Sequence, residues 1–103
     1  MGMLDKAKTA LRISQSTTSY DAEIADLIEA ARHDLKLAGV LPNKADSDED
    51  SLIRRALMVY VKANFGWDNP DSEKLNQSYL MIKNHLLLSQ EYTEVIVINV
   101  ISG

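Results

Sequence analysis

No cysteine occurs among the 103 residues. Disulfide frameworks, thiolate nucleophiles and the usual thiolate zinc sites are therefore excluded. Only four glycines are present, at 2, 39, 66 and 103. None belongs to a clustered phosphate-cradling loop, so nucleotide binding has no support in the sequence. No apolar run approaches the roughly 20 residues that a membrane-spanning helix needs, and the opening MGMLDKAKTA lacks the apolar centre of a signal peptide. Gly2 is no myristoylation start either, because Lys6 stands where Ser or Thr is wanted. The chain reads as a cytosolic protein with no membrane contact.

What is present suits one small globular unit. Apolar residues make up 46% and charged residues 25%, close to globular averages, and a chain of this length can bury roughly 60–70% of its unfolded surface in one core. The net charge is -4 and is unevenly spread. Residues 1–50 hold six Lys and Arg against ten Asp and Glu, while residues 51–103 hold five of each. A phosphate-binding surface needs the opposite balance, which argues against tight nucleic-acid binding.

The apolar spacing predicts four helices followed by one strand, an all-α compact bundle with a C-terminal β-strand tail. Leu4, Ala7 and Leu11 mark a short first helix ending near Ile13. After a polar loop, Ile24, Leu27, Ile28, Ala31, Leu35 and Ala38 recur at spacings of three and four, with Gly39 and Pro42 placed to stop the helix. A third helix over about 48–66 carries Leu52, Ile53, Ala56, Leu57 and Tyr60 on one stripe, capped by Asp46 or Ser47. Asn69 followed by Pro70 reads as an N-cap with proline at the first position of a fourth helix, which buries Leu75, Tyr79, Ile82 and Leu86. The division expected is a helical domain over 1–92 and an assembly tail over 93–103.

Motifs for chemistry are lacking. Aspartates at 46, 48 and 50 have the spacing that begins a calcium loop, but the sixth and twelfth places hold Ser51 and Leu57 instead of Gly and Glu. His33 and His85 stand beside no nucleophile or metal-binding pattern, and His33 and Asp34 are too close in sequence to meet on a helix. No catalytic residue, cofactor or metal site is expected. A pocket-borne enzymatic site would have to be assembled by the fold around one of the histidines. Arg54, Arg55 and Lys62 are the one weak candidate for a basic recognition helix, the mark of a small DNA-binding regulator.

Two features point to assembly. Val95, Ile96, Val97, Ile98, Val100 and Ile101 form an apolar run interrupted by Asn99 alone. A lone strand leaves unpaired backbone groups, so this run is expected to pair with a neighbouring subunit; pairing with an early segment of the same chain is the alternative. Trp67 is either an anchor in a partner's pocket or a lid on the core.

The segments LDKAKTALRIS, YDAEIADLIEAARHDLKLAGV and LIRRALMVYVKANFGWDNPDSEKLNQSYLMIKNHL resemble the small head-tail connector proteins of tailed bacteriophages and prophages, also described as DNA-packaging proteins. The resemblance covers nearly the whole chain and rests on helical packing patterns. It implies a structural protein without enzymatic activity that forms a ring, twelve-fold in the virion. That ring would sit beneath the portal protein at the virion neck, continue the DNA channel, and dock neck and tail proteins. Before assembly the subunit would lie in the bacterial host cytoplasm. DNA would pass without specific binding, since an acidic wall repels phosphate, and Glu23, Asp26 and Glu29 are the candidates to face that channel.

Overall fold

The computed structural model describes residues 2–93. Five helices stand in order: α1 (Met3–Ala10), α2 (Asp21–Ala38), α3 (Pro42–Ala45), α4 (Ser51–Asn64) and α5 (Ser72–Leu87). The all-helical expectation holds for these residues, with one helix more than the spacing predicts. The extra element is α3, a single turn opened by Pro42 at its first position, too short for apolar periodicity to register. The expected strand over residues 95–101 lies outside the described residues.

Helix α4 is the centre of the fold, packed against both α2 and α5, while α1 closes the end between α2 and α4. Ile24, Leu35, Ile53, Leu57, Val61 and Leu86 are fully buried between them. Of the stripe expected on α4, Leu52 turns out to be exposed and Val61 takes its place inside. Helices α2 and α5 approach α4 on different sides, so its buried arc is displaced from a simple stripe.

Two helices end in the same way with different residues. At the end of α1, Ile13 N–H donates to Lys8 O at 2.8 Å and Arg12 N–H to Thr9 O at 3.0 Å. After α2, Val40 N–H donates to Leu35 O at 2.9 Å and Gly39 N–H to Lys36 O at 3.1 Å. Both are Schellman closures, which need one residue at positive φ. Gly39 supplies it at 120°, whereas α1 uses Arg12 at 61°.

Helix starts differ from the sequence reading. Helix α4 begins at Ser51, and its cap is Asp50, whose carboxylate accepts from Leu52 N–H at 2.9 Å and Ile53 N–H at 3.1 Å. Ser47 instead shapes the preceding turn, accepting from Glu49 N–H and Asp50 N–H. Helix α5 begins at Ser72 and not at Pro70. Asn69 is consumed by a turn of its own, accepting from Asp71 N–H at 3.0 Å and donating to Lys62 O at 2.6 Å, which ties the connection to the end of α4.

Candidate assembly surfaces

The first surface surrounds Tyr92 and Thr93, at the end of the described residues. Tyr92 is buried, and its hydroxyl donates to Asp50 Oδ1 and Oδ2 at 3.0 and 2.9 Å. Lys44 Nζ lies 5.4 Å over the same ring and 3.8 Å from Glu91. Leu41 N–H donates to Tyr92 O at 2.8 Å, and Thr93 forms a single antiparallel bridge with Val40. Continued antiparallel pairing beyond this bridge would set the next residues of the tail against Gly39 and Ala38. Ala38 is the last residue of α2.

Electrostatics lock this clasp. Partial burial works against the Asp50 charge, but donation from Ile53 N–H, the Tyr92 hydroxyl and Leu52 N–H outweighs it and holds the carboxyl below its usual range. The Tyr92 phenol is pushed up to about 12, by burial and then by the Asp50 carboxylate, and so stays a donor. Neither partner was singled out for this role by the sequence. The only signal was an aromatic residue just ahead of the tail.

A second surface is the outer side of α2. Glu23, Asp26 and Glu29 are all exposed there. Glu23 accepts weakly from Gly66 N–H at 3.4 Å, and Glu29 stands 3.9 Å from the Arg32 guanidinium. Between the acids the face is small and apolar, with exposed Ala22, Ala25 and Ala30, and it ends in Leu37, which is 74% exposed. The aspartates of the 46–50 loop are used internally. Asp46 pairs with Lys36 at 2.7 Å, Asp48 with Arg32, and Asp50 caps α4. Arg32 is buried and also donates to Ala45 O and Ser47 O, so it holds α3 and the following turn against α2.

The third surface is a groove of about 520 Å³ between α4, α5 and the end of α1. Arg54, Arg55 and Lys62 rim it over a floor of Met58, Val59 and Leu75. Arg54 donates to Glu49 O at 2.7 Å. Among the described residues Arg55 and Lys62 have no ion-pair partner.

Trp67 projects from the turn between α4 and α5 and is fully exposed, so it is not a lid on the core. The remaining predicted interface residues, Val95, Ile96, Val97, Ile98, Val100 and Ile101, lie outside the described residues. His33 and His85 are exposed, and His85 borders a small cleft with Arg55 and Ser78. Asp34, next to His33, turns instead to Tyr79 Oη at 2.6 Å and Lys83 Nζ at 3.0 Å, linking α2 to α5. Burial opposes its charge, and the Tyr79 and Lys83 hydrogen bonds more than compensate, lowering its pKa. Among the described residues no helix is long and apolar enough to cross a membrane.

The described surfaces thus include an acidic face on α2 and a cationic groove beside α4. Residues 3–93 match the family model described as phage connector protein, while no curated protein and no solved structure matches the chain. The match takes in every helix and the Tyr92 clasp, and on that ground the chain belongs to the phage connector protein family.

Proposed function

We propose that this protein is the head-tail connector of a tailed phage or prophage, a structural ring subunit that joins the portal to the neck and tail. The ring is twelve-fold in the virion, lies beneath the portal, and prolongs the channel through which DNA passes. Residues 93–103 serve as the intersubunit or portal-facing clasp, with Trp67 as a second anchor.

One observation carries the reading beyond family membership: the bridge between Val40 and Thr93. It sets Thr93 beside Val40, next to the helical Ala38, and supports a tail that begins at this point. A run as apolar as residues 95–101 gains most from pairing with another chain, where both backbone and side chains are covered. The overall charge of -4 suits a wall over which DNA slides without phosphate binding. Two uses are open to the α2 face in such a ring. It borders the channel, or it meets the next subunit, and its exposed alanines and Leu37 favour the second.

The test is mass by light scattering over a concentration series, with negative-stain imaging, on the full chain and on a chain ending at Thr93. Closed rings from the full chain and folded monomers from the shortened one are the expected result. Equal monomeric masses for both, with no ring on addition of portal protein, would sink the proposal.

A further inference from the structure

We infer that the cationic groove between α4 and α5 is the docking site for the acidic face of α2 from a second copy of this chain. The inference rests on the ring reading and names the surfaces that would close it.

A ring is built from heterologous contacts, which require two different patches on every subunit, facing away from each other. The fold has such a pair. At about 100° per residue, Asp26 and Glu29 lie about 160° and 140° around α2 from the buried Ile24, and Arg55 and Lys62 lie about 160° and 140° around α4 from the buried Leu57. The acids thus point away from the buried face of α2, and the cations away from that of α4.

The two patches also fit in kind. The groove offers Arg54, Arg55 and Lys62 and no carboxylate along its lining, while the α2 face offers Glu23, Asp26 and Glu29. Arg55 to Lys62 spans about 10.5 Å along the axis and Asp26 to Glu29 about 4.5 Å, so both acids fall within the stretch that the two cations bracket. Exposed Ala22, Ala25 and Ala30 let a helix approach closely, and the apolar floor of Met58, Val59 and Leu75 receives it. Duplex DNA is the rival occupant of a cationic groove, but the -4 chain repels it, whereas the α2 face is attracted.

A charge-swap experiment decides. Sedimentation velocity is run on the wild type, on Asp26→Lys/Glu29→Lys, on Arg55→Glu/Lys62→Glu, and on an equimolar mixture of the two variants. All altered positions are exposed, circular dichroism checks each fold, and the neutral pair Asp26→Asn/Glu29→Gln stands in should a reversal unfold. The wild type should self-associate, each reversed variant should do so about tenfold or more weakly, and the mixture should recover, because each variant's altered face then meets an opposite one. Wild-type assembly with equal assembly of both variants overturns the surface assignment and leaves the ring intact. Loss in both variants without recovery in the mixture overturns the pairing of these two faces. A wild type that is monomeric at every concentration, and that forms no ring on addition of portal protein, overturns the ring reading and this one together. Salt-sensitive duplex binding lost only in Arg55→Glu/Lys62→Glu, with self-association unchanged, assigns the groove to DNA and overturns the docking.

Discussion

Tyr92 and Asp50 are 42 residues apart in sequence, yet the phenol of one donates to both carboxylate oxygens of the other. Asp50 thereby performs two tasks, capping α4 and holding the chain's end. Removing the hydroxyl in Tyr92→Phe should cost about 1–2 kcal/mol in urea unfolding, as for a hydrogen bond to a charged group. Asp50→Ala should cost more, since it also removes the cap, itself worth about 1 kcal/mol. The double variant should fall short of the sum, because the single changes share one interaction.

The pH dependence has a sign that follows from the same groups. Asp34 and Asp50 are held below their unfolded range near about 3.9, so their contribution is full above that value and is lost as pH falls through their folded pKa. Tyr92 is raised to about 12, so its contribution is full below the unfolded value near about 10 and is lost as pH climbs toward 12. Stability read at fixed urea should therefore be flat from about pH 5 to 9 and fall on both sides. Tyr92→Phe should flatten the alkaline limb, and Asp34→Asn the acid one.

The matched closures of α1 and α2 make a reciprocal experiment. Arg12 occupies the left-handed position that Gly39 fills elsewhere. Arg12→Gly should raise the stability by up to about 1 kcal/mol through relief of that conformation. Gly39→Ala should lower it by about 1 kcal/mol or more. A new Cβ at 39 would meet only Leu87 at 3.7 Å, an ordinary contact, so the cost is one of backbone and not of space.

Among the described residues the buried charged side chains are Lys8 and Arg32, and Arg32 is the one with the most acceptors. Its guanidinium serves Ala45 O, Ser47 O and Asp48 at once. Arg32→Leu should destabilise by about 3 kcal/mol, leaving carbonyls and a carboxylate unserved. Lys36→Ala, which breaks the half-exposed pair with Asp46, should cost less than about 1 kcal/mol. Arg32→Lys should recover little, because an ammonium cannot reach three acceptors set for a fork.

Trp67 separates assembly from folding. Being fully exposed, Trp67→Ala should leave the unfolding midpoint within about 0.5 kcal/mol of wild type. A drop in assembly on portal or neighbour, with unchanged monomer stability, is the outcome expected from the anchoring role proposed for it.

Much of the helical framework was legible because periodicity reports burial directly. Ile24, Ile28, Ala31 and Leu35 are spaced for one face and are buried on it. Caps were misplaced where several candidates stood together. Asp46, Ser47, Asp48 and Asp50 all suit a helix start, and the choice among them is made by Lys36 and Arg32, which reach across from α2 and claim Asp46 and Asp48. Likewise Asn69 was drawn into a turn by Lys62 O. Leu52 was misplaced because the directions from which α2 and α5 approach α4 are tertiary facts. The clasp of Tyr92 on Asp50 depends on a contact across 42 residues that no local pattern records.

The order of synthesis gives that clasp a further meaning. A ribosome releases Asp50 well before Tyr92, so α4 can be wound and capped while the residue that fastens the chain's end is still inside the exit tunnel. Closure is among the last events available to the nascent chain. The clasp therefore adds its share of stability only after every helix that it fastens has been made.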